Sequence, residues 1–176
     1  MSEQQTRPSR IEIENQGELA LRQLVPQDAQ AYFDALWHDP SRFQHGEEAT
    51  LKKYQTVEQV LGSIEDPEPD KLRFGIWDGN TVVGSVNIKF NRPGSAELGY
   101  WSGYGGHGYS ERGARLLVEY AFDHYDIDKL TAWIARENIG SRKIIGRLGF
   151  TQQTSELERI FYTLHKGANQ AQNLNT

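Results

Sequence analysis

The sequence contains no cysteine, which excludes disulfide bonds, thiolate metal sites and a cysteine nucleophile. It has no apolar run long enough to cross a membrane, and its polar first residues lack the apolar segment of a signal peptide. We therefore expect a cytoplasmic protein with no membrane partner. A length of 176 residues with 37% hydrophobic residues is typical of one domain with a substantial core. We predict a single domain over residues 1–176, with flexible tails at about 1–16 and 167–176.

Basic residues are also scarce, since 19 Lys and Arg stand against 24 Asp and Glu and the formal net charge is −5. A nucleic-acid partner is therefore not expected, because phosphate backbones are bound by basic surfaces. Acidic side chains are concentrated at Glu47, Glu48 and between residues 65 and 70. Two interpretations stay open for these clusters, namely solvated loops or the attraction of a cationic substrate.

Histidine occurs only as scattered single residues, with no pair at the spacing of metal ligands. We therefore predict no metal site. One of the histidines lies in a glycine-rich segment, where it could reach a phosphate. The five positions are His38, His45, His107, His124 and His165.

The hydrophobic pattern predicts a mixed α and β chain. Short apolar or alternating runs predict six strands, and apolar residues at helical spacing predict four helices. Asp78, Gly79 and Asn80 indicate a hairpin turn between two of the strands. Thr56, with Gln59 three residues later, is typical of a helix N-cap. The predicted strands are residues 19–22, 74–77, 81–90, 96–101, 130–134 and 160–164, and the predicted helices are 29–37, 56–64, 114–122 and 141–148.

The most informative segment is the glycine-rich run at residues 102–110, between a predicted strand and a predicted helix. Glycines allow successive backbone N–H groups to converge on an anion, and the helix start adds unpaired N–H donors. The segment therefore predicts a site for phosphates, such as those of a pyrophosphate-bearing cofactor. The spacing of Gly103, Gly105 and Gly108 also matches the dinucleotide-binding fingerprint. That alternative lacks the acidic residue expected at the end of the next strand, because Asp126 and Asp128 precede the strand.

Four local motifs follow one another in a fixed order. They are residues 19–24 with Asp28 and Ala29, residues 82–85, residues 97–101 and residues 138–150. This order resembles the GNAT acetyltransferase superfamily, and in particular the bacterial enzymes that acetylate ribosomal-protein N-termini. The resemblance covers nearly the whole chain from Leu19 to Lys166. It implies a mixed α+β fold, with a central twisted mixed sheet of six to seven strands and helices on both faces.

The resemblance also implies acetyl-CoA as the co-substrate, with no metal. In the family, the phosphate loop carries Gln or Arg, two variable residues, Gly, one variable residue, and Gly or Ala. Here Gly105 lacks the first of these side chains, Gly108 matches, and Ser110 is a small substitute. The positions implied to bind the cofactor are Trp101, Ser102, Gly103, Gly105, Gly106, His107, Gly108, Tyr109, Ser110 and Asn138.

Two catalytic positions are implied by the same resemblance. Glu97 on the central strand corresponds to the base that removes a proton from the amine, and Ser141 on the closing helix to the proton donor or thiol-orienting hydroxyl. Structural alternatives exist for both. Glu97 is also explained as a polar residue at the start of a strand, and either Ser141 or Asn138 as the N-cap of a helix.

The resulting prediction is an N-acetyltransferase that moves an acetyl group from acetyl-CoA to an amine acceptor. The resemblance implies a protein N-terminus or a small amine as the acceptor, and the acidic chain favours a cationic one. One alternative is a catalytically degenerate protein that binds CoA as a sensor or scaffold, and another is a nucleotide-binding module. The family uses one fold for many acceptors, so the sequence leaves the acceptor open. We expect a monomer or a homodimer.

Overall fold

Five helices and eight strands make up the structure, a computed structural model that describes residues 10–14, 17, 19–45 and 47–168. No helix in these ranges is long and apolar enough to cross a membrane. The helices are α1 (Ala29–Trp37), α2 (Glu48–Lys53), α3 (Val57–Glu65), α4 (Tyr109–His124) and α5 (Ile139–Arg147). The strands are β1 (Glu12–Glu14), β2 (Leu19–Gln23), β3 (Lys71–Asp78), β4 (Thr81–Arg92), β5 (Gly94–Ser102), β6 (Ile127–Ala135), β7 (Thr151–Ser155) and β8 (Arg159–His165).

The strands form one sheet in the order β1-β2-β3-β4-β5-β6-β8-β7. Neighbouring strands are antiparallel except β5 and β6, which are parallel and connected through α4. A parallel pair needs such a crossover, because the chain must return to the end where it started. The predicted mixed α+β fold is therefore confirmed, with eight strands in place of the six to seven expected.

The two strands that the hydrophobic pattern did not predict lie at the edges of the sheet. β1 reads Glu-Ile-Glu and is held by antiparallel pairing with β2, while Ile13 packs against the core. The prediction of a flexible tail therefore does not hold for residues 12–14. β7 reads Thr-Gln-Gln-Thr-Ser, and all five of its residues are exposed. Residues 1–9, 15, 16 and 169–176, which complete the predicted tails, lie outside the described residues.

Each face of the sheet is covered by its own set of helices. α4 and α5 pack on one face, here called the α4 face, where Leu117 and Ile145 are fully buried. α1, α2 and α3 cover the other, here called the α1 face, around Tyr32 and Leu36. Because side chains alternate along a strand, each strand contributes to both cores.

Two local signals of the sequence are confirmed. The Thr56 Oγ1 accepts a hydrogen bond from the Gln59 backbone N–H at 3.3 Å, and the Gln59 side chain accepts one from the Thr56 N–H at 3.1 Å. This reciprocal pair starts α3. Asp78 pairs with Thr81 across the predicted hairpin, and Gly79 supplies the positive φ of +57° that the tight turn requires.

The parallel pair at the centre of the sheet is only half formed. Gly94 lies opposite Ile127, and the pairing continues to Glu97 opposite Thr131 and then stops. Residues 98–102 and 132–135 keep their outer partners, β4 and β8, but are not paired with each other. We call the space between them the wedge. Its walls present backbone N–H and C=O groups that need a partner, so the wedge fits an extended, amide-containing ligand.

Candidate active site

The glycine loop, residues 103–108, connects the open end of β5 to α4. At Gly103 a Cβ atom would lie only 1.8 Å from the backbone oxygen of Ala35, so this position admits glycine alone. Gly106 and Gly108 adopt φ values of +82° and +65°, in the left-handed region that glycine favours. Gly108 is also the N-cap of α4. The loop thus presents bare backbone at a helix N-terminus, an arrangement that suits an anion.

Three of the residues predicted to bind the cofactor have side chains that serve the fold. The Trp101 ring is buried on the α1 face, with its centroid 5.1 Å from that of Tyr32. The Ser102 Oγ donates to the Val83 backbone oxygen at 2.8 Å. Tyr109 is buried and donates its hydroxyl hydrogen to Asp78. Only the backbone of Trp101, Ser102 and Tyr109 is therefore placed for a ligand.

The remaining predicted loop residues lie at the surface beside the start of α4. His107 is exposed and stacks on the ring of Tyr109 at a centroid distance of 5.0 Å. Ser110 is in the first turn of α4. Gly105 is exposed as well. The structure therefore brings Gly105, Gly106, His107, Gly108 and Ser110 together on one surface.

An arginine from outside the loop lies beside Gly105. The Arg42 Nε donates to the Ser102 backbone oxygen at 3.1 Å. Its Nη1 lies 2.5 Å from the position that a Cβ on Gly105 would occupy. The guanidinium thus occupies the space in which a side chain at residue 105 would begin. Sequence analysis did not select Arg42. The only feature that could have indicated it is Gly105, a glycine where the family carries Gln or Arg, because another residue could then supply the missing side chain.

At the open end of the wedge, a tyrosine of β5 contacts the first turn of α5. The Tyr100 hydroxyl lies 2.8 Å from the Ser141 Oγ and 3.2 Å from the Ser141 backbone oxygen. Burial raises the pKa of Tyr100, and the nearby carboxylates of Glu47 and Glu111 raise it further. Tyr100 therefore stays a protonated phenol throughout the neutral range, and Ser141 beside it is buried.

Asn138 rather than Ser141 is the N-cap of α5. The Asn138 Oδ1 accepts a hydrogen bond from the Ser141 backbone N–H at 3.0 Å. Its Nδ2 donates to the Glu47 Oε1 at 2.9 Å. The Ser141 hydroxyl has no capping role and is available for chemistry, whereas Asn138 connects α5 to the segment before α2.

Glu47 is a second residue that sequence analysis did not select. Burial raises its pKa to about 7. The hydrogen bond from Asn138 and the positive charges of Arg42 and His45 lower the pKa, and the neighbouring Glu48 raises it. A carboxyl group that is half ionised near neutral pH is suited to proton transfer. In the sequence, Glu47 stood out only as part of the acidic pair at residues 47 and 48. That pair was open to two interpretations, a solvated loop or the attraction of a cationic substrate.

Glu97, the predicted base, lies where the parallel pairing ends. Alternation along β5 places its side chain on the α1 face with Trp101, and that of Tyr100 on the α4 face. Across the antiparallel pair it lies opposite Lys89, which donates to Glu68 at 3.1 Å. Glu97 and Ser141 are therefore directed to opposite faces of the sheet.

A cavity of about 320 Å³ opens near the wide end of the wedge, between the segment before α2, the β6–α5 connection and the β7–β8 hairpin. A larger one, of about 500 Å³, lies around Gly94 and Ile127 at the closed end, away from the residues above. No cluster of three or more His, Cys, Asp or Glu side chains that could hold a metal occurs in the described part of the chain. The 320 Å³ cavity is lined by His45, Ala135, Arg136, Glu137, Leu157, Glu158 and Arg159.

Comparison with known proteins identifies the family of this chain. A family model described as an acetyltransferase (GNAT) domain matches residues 18–151. The chain belongs to the GNAT acetyltransferase family. It is an acetyl-CoA-dependent acetyltransferase, as the resemblance predicted. No curated protein matches the sequence.

Solved acetyltransferase structures share the fold at low sequence identity. RimL, a ribosomal L7/L12 alpha-N-protein acetyltransferase solved with coenzyme A, is 18% identical with a TM-score of 0.75, covering 90% of this chain and 99% of its own. The Salmonella typhimurium acetyltransferase that modifies the N-terminal serine of L7/L12 is 17% identical with a TM-score of 0.70, covering 88% and 99%. MccE, a microcin C7 self-immunity acetyltransferase solved with acetyl-CoA and AMP, is 17% identical with a TM-score of 0.69, covering 86% and 93%.

The site fits acetyl-CoA as the co-substrate of this acetyltransferase. Gly106 and Gly108 adopt positive φ values at which any other residue would be strained. Neither residue has a side chain, so a diphosphate could approach their backbone N–H groups. The unpaired walls of the wedge offer hydrogen-bond partners to the amides of a pantetheine arm. When bound, acetyl-CoA supplies the activated acetyl group.

Proposed function

We propose that the chain is an N-acetyltransferase that acetylates an amine, with a protein or peptide N-terminus as the favoured acceptor. The observation that carries this proposal is the Tyr100–Ser141 pair at the open end of the wedge, beside a cavity for a second substrate. We propose that the acetyl group and the acceptor meet between these hydroxyls and the cavity. We place the reaction in the cytoplasm, as the absence of cysteine suggested.

The residues that would hold acetyl-CoA divide into two groups. The diphosphate is proposed to bind at the loop backbone of Gly105, Gly106 and Gly108, with His107 and Ser110 beside it. Arg42 supplies a cation in the space that Gly105 leaves. The pantetheine arm is proposed to pair with the backbone of residues 101–103. Asn138 holds the start of α5 against the same end of the wedge.

Transfer of the acetyl group to an amine requires a base for the ammonium proton and a proton donor for the leaving sulfur. The acceptor ammonium loses a proton, its nitrogen lone pair forms the C–N bond to the acetyl carbon, and the C–S bond breaks with its electron pair going to sulfur. The nitrogen loses a second proton as the amide forms. We propose that Ser141 donates a proton to the sulfur and regains the one that leaves the nitrogen, while the Tyr100 hydroxyl stabilises the serine oxygen. Glu97, the base implied by family resemblance, and Glu47 are the two carboxylates that compete for the ammonium proton.

The lining of the cavity favours a peptide N-terminus over a simple polyamine. Glu137 and Glu158 offer negative charge to an ammonium, whereas Arg159 suits a carbonyl oxygen. Arg136 donates to the backbone oxygens of Glu156 and Leu157 and so holds the hairpin that borders the cavity. A peptide N-terminus carries both an ammonium and a carbonyl group within its first residue. Two of the structural relatives are described as acting on L7/L12 N-termini, which supports the same class of acceptor.

A mass-spectrometric screen with acetyl-CoA tests the proposal directly. We expect acetylation of a peptide with a free N-terminal serine, and slower acetylation of spermidine and of free serine. CoA should also raise the melting temperature, since only ligands of the native state stabilise it. NAD and NADP should have no such effect. Stabilisation by NAD but not by CoA, or acetylation confined to a hydroxyl, would contradict the proposed function.

A further inference from the structure

One carboxyl group is linked to Ser141 through a single residue, whereas Glu97 lies on the opposite face of the sheet. Glu47 precedes α2 and reaches across to the β6–α5 connection, where its Oε1 accepts the hydrogen bond from Asn138 at 2.9 Å. Asn138 in turn holds the backbone N–H of Ser141. One residue therefore touches both Glu47 and the first turn of α5, which also contacts Tyr100.

The same segment also borders the cavity proposed for the acceptor. His45, two residues before Glu47, lines that cavity, and its Nδ1 lies 3.6 Å from the Glu137 Oε2. Glu137 lines the cavity as well and directly precedes Asn138. The segment before α2 and the β6–α5 connection are thus in contact at two points, His45 with Glu137 and Glu47 with Asn138. Two residues that line the cavity, His45 and Glu137, therefore lie beside the hydrogen bond between Glu47 and Asn138.

Charged and titratable groups face Glu47 from three parts of the chain. Arg42, His45 and Glu48 belong to its own segment, and Tyr100 faces it from β5. The amide of Asn138 faces it from the start of α5. Removal from water opposes the carboxylate most strongly, and Glu48 opposes it as well, whereas the Asn138 amide, Arg42 and His45 favour it. Glu47 is therefore a desolvated carboxylate held by one amide and not a member of a tight ion pair.

We propose that Glu47 is the general base that takes the proton from the acceptor ammonium. This inference rests on the proposed N-acetyltransferase function. The proton moves from nitrogen to the Oε2 of Glu47, because Oε1 is bound to Asn138. The nitrogen keeps its electron pair, which forms the new C–N bond. Glu47 then releases the proton to water after the product leaves, so the base is restored for the next cycle.

Glu97 is less suited to this step. Its side chain lies on the α1 face, opposite to Tyr100, and is attracted by the Lys89 ammonium on the neighbouring strand. Lys89 itself belongs to a surface ion-pair group with Glu68 and Asp70. Glu97 thus belongs to the polar surface of β4 and β5, whereas Glu47 belongs to the acceptor side of the wedge.

Three variants separate the two carboxylates by kinetics with the serine peptide as acceptor. Glu47→Gln keeps an oxygen for Asn138 but cannot take a proton, so kcat/KM should fall by about a hundredfold or more. We expect the activity of the unchanged protein to fall on the acidic side of about pH 7, and Glu47→Gln to lose this acidic limb. Glu97→Gln should keep that limb and most of the activity. Glu48→Gln is the matched control for loss of one negative charge, and it should move the limb only slightly toward lower pH.

A titration that needs no turnover completes the test. Carboxyl signals of ¹³C-labelled glutamate are followed against pH in the CoA-bound protein, and the Glu47 signal is the one absent from Glu47→Gln. A midpoint well above that of ordinary glutamates supports the assignment. An ordinary midpoint, or loss of the pH limb in Glu97→Gln instead, overturns it. Calorimetry with CoA on the unchanged protein and on all variants separates this proposal from the proposed function. If the unchanged protein does not bind CoA, the proposed function itself is overturned.

Discussion

The Tyr100 hydroxyl lies 2.8 Å from the Ser141 Oγ, across the gap where β5 and β6 separate. The bond joins a strand to the first turn of a helix 41 residues further along the chain. Both residues are largely removed from water, which strengthens a hydrogen bond relative to its exposed counterpart. Because Asn138 caps α5, this contact is not needed to start the helix. The proposed role in proton donation would make use of both hydroxyls.

Removal of the Ser141 hydroxyl should therefore affect turnover more than binding. For Ser141→Ala we expect kcat to fall by tenfold or more while the Kd for CoA changes less than about twofold, because a mainly transition-state interaction is lost. Tyr100→Phe removes only the second hydroxyl and should give a smaller loss of kcat. Steady-state kinetics and calorimetry measure the two quantities. Equal losses of affinity and turnover in Ser141→Ala would indicate that the serine binds substrate instead.

The position of Arg42 beside Gly105 predicts a contribution to diphosphate binding. Arg42→Ala should weaken CoA binding by about three- to tenfold. This effect is smaller than that of a buried charge-assisted hydrogen bond, because the Arg42 side chain is exposed and water screens its charge. Pantetheine, which has no diphosphate, should bind the variant and the unchanged protein equally. Arg92→Ala, at the far end of β4, is the charge-matched control and should change neither affinity. Equal weakening for CoA and pantetheine would assign Arg42 a structural role only.

Gly103 is predicted to be irreplaceable for packing. Gly103→Ala places a methyl group in contact with the α1 backbone at Ala35, so α1 or the loop must move. We expect the free energy of unfolding to fall by about 2 kcal/mol or more, as for overpacked cores. Gly62→Ala is the matched control, since nothing lies within 4 Å of its added methyl group and Gly62 is inside α3. It should raise stability by about 0.5–1 kcal/mol, and urea titrations of both variants measure the difference.

The sequence predicted those parts of the site that depend on neighbouring residues. Glycines before a helix indicated the loop, and the hairpin signal at Asp78–Asn80 was sufficient to orient two strands. The residues it missed depend on contacts between distant segments. Glu47 accepts a hydrogen bond from Asn138, 91 residues away, and Arg42 donates one to the backbone of Ser102, 60 residues away. From sequence alone, a charged residue in a polar segment is predicted to be exposed to solvent. Only the folded structure identifies the distant residues that pack against it.

The raised pKa of Glu47 also predicts how stability depends on pH. The group titrates at about 7 in the folded protein, against an ordinary value of 4.5. Between these values the native state holds a proton that the unfolded state has released, so the free energy of unfolding falls as pH rises. The loss should approach about 2–3 kcal/mol at pH 8. Glu47→Gln removes this dependence, so urea titrations at pH 5 and pH 8 should show the variant losing less stability than the unchanged protein over that interval. Equal losses of stability in the two proteins would mean that Glu47 is solvated. A smaller loss of stability in Glu47→Gln, together with loss of its activity, would identify Glu47 as a buried carboxyl group that takes part in the reaction.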